Sequence, residues 1–163
     1  VGLGDVYKRQ VLMMLAFTSM AAAAPSQVNR SMTAINAAKA EIPAVCELVG
    51  YNVDGDTSII TFKDPNTLER YVVDVNTATA KVQEIEVKGA TFVMGSTMVT
   101  KTPDDIEKIV LKNYPNAYEI VITQGQDGNN IYYIADFLTD KFDGELKLDP
   151  VTGAICEREL EYF

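Results

Sequence analysis

The chain says nearly the same thing twice, about seventy residues apart, and a repeat of that period limits it to joined copies of one small unit. A shift of 72 positions lays Pro43 on Pro115, Glu47 on Glu119, Leu48 on Ile120, and Ala37-Ala38 on Ile109-Val110. One further residue of slip aligns the later parts. Asp54-Gly55 then matches Asp127-Gly128, and the run Val75 to Val82 matches Leu148 to Ile155. Each copy alone would have a marginal core.

Within each copy a helical period gives way to a period of two. In the first, Ser31 is a reasonable N-cap for a helix over 32–42, with Ile35, Ala38 and Ile42 on one face and Pro43 at its exit. The second opens on Thr102 as N-cap, with Pro103 at the first helical position and Asp104 and Asp105 in the first turn. Ile106, Ile109, Val110 and Tyr114 form its apolar stripe, and Pro115 ends it. Strands are expected over 46–52, 57–63, 70–76 and 81–87, and again over 118–123, 130–138, 145–149 and 154–162. In 130–138, Ile131, Tyr133, Ala135 and Phe137 share a face while Asp136 points away, the pattern of a half-buried antiparallel strand. The expected class is therefore α+β, as two tandem repeats (24–88 and 102–163), each one helix packed on a four-stranded antiparallel meander sheet.

Residues 89–101 join the copies and are unusually apolar for a connection. Phe92, Val93 and Met94 stand at their centre, with Met98 and Val99 beyond. Two readings fit: a strand packed between the copies, because loops are normally polar, or an exposed strap contacting a partner. The two cysteines, Cys46 and Cys156, fall one in each copy at positions that do not correspond. They are candidates for a disulfide stapling the copies, with two separate buried thiols as the alternative.

Ahead of the repeats, residues 11–23 carry the apolar run Val11 to Phe17 followed by small residues, including Ala21-Ala22-Ala23. That is the pattern of a cleaved secretory signal, and it is too short to span a bilayer, which takes about 20 apolar residues. A secreted, periplasmic or cell-envelope location follows as the expectation. Residues 1–10, above all Asp5 to Gln10, resemble the translation of a transposase mosaic-end sequencing adapter; a natural basic start is the alternative. Without Asp5, Lys8 and Arg9 the balance is 12 basic to 22 acidic residues, a surface that repels nucleic acid and anionic membranes.

The second copy's Tyr133-Ile134-Ala135-Asp136-Phe137 and Leu148-Asp149-Pro150-Val151-Thr152-Gly153-Ala154-Ile155 resemble two elements of the PepSY domain family. These are a Tyr-x-Val-x-Phe strand and an apolar-Asp-x-x-Thr-Gly-x-apolar hairpin. The likeness covers nearly all of the mature chain as two tandem copies. The first copy departs from it, with Asn76 in place of the usual Asp and Ala80 in place of Gly. The resemblance implies an exported, non-catalytic module such as those in the propeptides of thermolysin-type proteases. In outline the tandem is also similar to the secreted β-lactamase inhibitor proteins. It implies no catalytic residue.

The residues themselves point the same way. There is no histidine, which removes Ser-His-Asp and Cys-His catalysis and the commonest metal ligand. Two isolated cysteines cannot build a structural zinc site, and no glycine-rich phosphate loop precedes a helix. Asp54 with Asp56 is the closest carboxylate pair, and a hairpin turn explains it better than a calcium loop. No enzyme activity, cofactor or metal is expected. The expected role is inhibitor or regulator of an extracytoplasmic enzyme, a secreted protease first. The alternative is an envelope adaptor that binds a peptide or domain without inhibition.

Overall fold

The structure is a computed structural model that describes residues 25–89 and 95–163, with side chains from Asn29 onward. The expected adapter segment, the signal segment and the Phe92, Val93 and Met94 contact lie outside the described residues. The order is α1 (Pro25–Ala40), β1 (Glu47–Asp54), β2 (Thr57–Lys63), β3 (Arg70–Asn76) and β4 (Val82–Lys88). There follow α2 (Pro103–Asn113), β5 (Tyr118–Asp127), β6 (Asn130–Leu138), β7 (Phe142–Leu148) and β8 (Ile155–Tyr162).

The eight strands form one antiparallel sheet in the order β1-β2-β3-β4-β8-β7-β6-β5. This corrects the expected α+β pair of tandem helix-plus-four-strand repeats: the molecule is a single, mostly β sheet carrying two short helices. The physical reason is the pairing of β4 with β8, from Glu84 opposite Glu161 to Lys88 opposite Glu157. Two separate four-stranded sheets would each leave these strands with an unpaired edge, and joining them satisfies both rows of backbone groups.

Alternation along the strands puts Ile60, Phe62, Val73, Val75, Ile85, Val87, Leu160, Leu146, Leu148, Tyr133, Ala135 and Phe137 on one face. Ala34, Ile35 and Ala38 of α1 and Ile106 and Val110 of α2 pack on that face as part of the same core. The helix α1 lies against β2 and β3, and α2 against β5 and β6. The start of α2 is fixed by a capping box: Thr102 Oγ1 accepts the Asp105 N–H, while the Asp105 carboxylate accepts the Thr102 N–H at 2.9 Å. The other helix begins at Pro25, ahead of the expected Ser31 cap.

Candidate functional site

Each buried residue of a strand has, one position away, a neighbour on the opposite face, and among the described residues no element covers that face. Asp74 stands between Val73 and Val75, Glu86 between Ile85 and Val87, and Asp136 between Ala135 and Phe137. Because register is continuous across the central strands, these residues fall into rows. Asp74, Glu84, Glu161 and Asp143 lie directly opposite one another along β3, β4, β8 and β7. Glu86, Glu159, Glu145 and Asp136 form a second row along β4, β8, β7 and β6.

Strands are about 4.8 Å apart, so each adjacent like-charged pair costs up to about 1 kcal/mol before salt screening. Few cations offset this. Lys88 reaches Glu86 at 2.6 Å, and Lys147 reaches Glu145 at 3.5 Å and Glu157 at 3.6 Å. Among the described residues none of the first row is in an ion pair. The carboxyls respond as crowded acids do. Burial, then Glu86, pushes Asp74 above its ordinary value, and burial with Glu159, Asp74 and Glu161 does the same to Glu84. Burial with Glu145 raises Asp136, and it raises Glu159 despite the opposing Lys147.

The acidic rows have distinct borders. On one side a third row gathers Lys63, Arg70, Lys88 and Lys147 around Glu157. Towards the β5 edge the rows run out into Leu138, Tyr118 and Val121, the last two about half exposed. A carboxylate field edged by apolar and aromatic side chains suits a protein surface carrying Lys or Arg, as interface patches do. Sequence reasoning took the acidic excess as a surface that repels nucleic acid and anionic membranes and did not collect these residues. The available signal was acids at period two in three separate strands: Glu84 and Glu86, Asp143 and Glu145, and Glu157, Glu159 and Glu161.

The sequence-derived sites are not brought together with this face. Cys46 is buried just before β1 and Cys156 is partly exposed on β8; each remains a thiol. Burial, aided by Asp64 and Glu69, raises the Cys46 thiol, and burial and Asp149 raise that of Cys156. Of the connection between copies, Ser96 pairs with Ile131 and the Thr100 and Lys101 N–H groups reach the Pro150 carbonyl, while Met98 is exposed. Among the described residues no group of three or more Cys, Asp or Glu is placed to hold a metal, and no helix is long and apolar enough to cross a membrane.

No family model matches the chain, and no curated protein matches it. Among solved structures it is similar, at 18% identity and a TM-score of 0.32, to a candidate lipoprotein from Clostridium difficile 630, over 78% of this chain and 90% of that one. It is also similar, at 11% identity and a TM-score of 0.34, to a BLIP-like protein from Bacteroides fragilis NCTC 9343, over 80% of this chain and 85% of that one. Both scores are too low to imply a shared fold.

Proposed function

We propose that the protein is a non-catalytic binding module whose uncovered sheet face docks the basic surface of another protein. The observation that carries this reading is the pair of cross-strand acidic rows, eight carboxylates in direct register. Like charges placed opposite one another oppose folding, so the arrangement is hard to account for as a stabilising one. A cationic partner would relieve that repulsion, and the attraction would speed encounter at low salt. The partner we favour is an extracytoplasmic enzyme, a secreted protease first, which fits the secretory pattern of 11–23 and the PepSY-like motifs. Inhibition needs no catalytic group, only occlusion of the enzyme's cleft.

The test is a titration of the purified protein against secreted metalloproteases, serine proteases and β-lactamases, following residual turnover at low and high salt. Saturable loss of turnover in one class is expected, weakened by salt and by Glu84→Gln with Glu159→Gln. Binding that leaves turnover intact would replace the inhibitor reading with that of an adaptor. Binding indifferent to salt and to the double variant would remove the sheet face from the account.

A further inference from the structure

The two helices rest on β2 and β3 and on β5 and β6, to either side of the central strands β4 and β8. Over it lies a cleft of about 410 Å³ between the C-terminal ends of α1 and α2, within the size range of small-ligand sites. Its walls are aromatic: Tyr71 on one side, and on the other a run of Tyr114, Phe142 and Tyr162 with successive ring centroids 5.9 Å and 5.3 Å apart. The lining differs between the copies. In the sequence alignment Glu41 falls on Asn113 and Ile42 on Tyr114, and of the latter two only Tyr114 lines the cleft, so its two ends differ chemically.

Charge decides what the cleft can hold. Arg158 enters it, but its Nη1 already donates to Glu69 Oε1 at 3.0 Å, while the Tyr71 hydroxyl donates to Glu69 Oε2 at 3.0 Å. That guanidinium is therefore matched. The remaining charge is Glu41, exposed at the rim, whose Oε2 accepts the Tyr162 hydroxyl at 3.1 Å. A carboxylate beside a wall of aromatic rings suits a cation with an apolar body, which aromatic rings attract and which need not be stripped of tightly held water.

We propose that this cleft is a binding site for a small organic ammonium ion, a quaternary or alkylated amine. The proposal is independent of the docking face, which lies on the other side of the sheet. The test titrates the protein with benzyltrimethylammonium, and separately with 3-phenylpropanoate and benzyl alcohol as anionic and neutral probes of similar size. Binding is read by calorimetry and by the shifts of tyrosine ring protons. Saturable binding of the ammonium probe in preference to both others is expected. Glu41→Gln, which keeps an acceptor for Tyr162, and Phe142→Leu should each weaken it about threefold to tenfold. Glu41 is exposed, so its variant tests the site even if Phe142→Leu fails to fold. Preference for 3-phenylpropanoate would make Arg158 the anchor and overturn the proposal. Equal binding of all three probes, or none at millimolar concentration, would overturn it as well.

Discussion

Three loops in this chain close in the same way. In each, a side-chain Oδ1 accepts two backbone N–H groups ahead of it: Asp64 from Asn66 and Thr67, Asn76 from Ala78 and Thr79, and Asp149 from Val151 and Thr152. The carbonyl of the same residue then takes the N–H four residues on, at 2.8 to 2.9 Å. That fourth residue has positive φ in all three: Leu68 at 63°, Ala80 at 56° and Gly153 at 75°. Only the last is glycine. Ala80→Gly is therefore expected to stabilise the protein by about 0.5–1 kcal/mol, because relief of the left-handed backbone exceeds the gain in unfolded-state freedom. Gly153→Ala should cost about 1–3 kcal/mol, since a Cβ there would also lie 2.5 Å from Ile109 Cδ1. Urea titrations of both variants check the pair. A result of the same sign for the two would break the equivalence of the loops.

At the scale of elements, alternation was enough to locate strands and not enough to pair them. Tyr133, Ala135 and Phe137 are buried and Asp136 faces away, as the period of two requires. The helix at Pro103 was equally legible, because its cap residues act over three positions. The β4–β8 pairing was not, since Ile85 and Leu160 meet across 75 residues and neither strand's pattern names its partner. The repeat also pointed away from it, by suggesting that each copy closes on itself. The acidic rows were hidden for the same reason: they exist only once register is known. The seam carries a direct consequence for stability. Leu160, 8% exposed at the junction, should cost about 2–4 kcal/mol on replacement by alanine. If the halves share one core, that variant unfolds in a single transition with coincident far-UV and near-UV midpoints. A second transition at the wild-type midpoint would mean that the halves fold separately.

For the whole molecule, the acidic face makes stability depend on pH in an unusual direction. Asp74, Glu84, Asp136 and Glu159 all hold their protons more tightly when folded than the ordinary carboxylate values of 3.8 and 4.5. Folding therefore favours their protonated forms. The stabilisation is fully present below the unfolded values and is lost as pH rises through the folded ones. Lowering the pH from 7 to about 4.5 should thus raise the unfolding midpoint, and added salt at pH 7 should do part of the same work by screening the rows. Asp149 sets the lower limit. Burial works to raise it, but the Thr152 and Val151 hydrogen bonds hold it below the usual range, so its contribution is lost on further acidification. Glu84→Gln with Glu159→Gln should therefore add about 1 kcal/mol at pH 7 and little near pH 4.5. Thermal unfolding across that range, for the wild type and the double variant, tests this. Curves that stay parallel from pH 7 to 4.5 would mean that the rows are relaxed by solvent, which would take away the electrostatic tension that a basic partner is proposed to relieve.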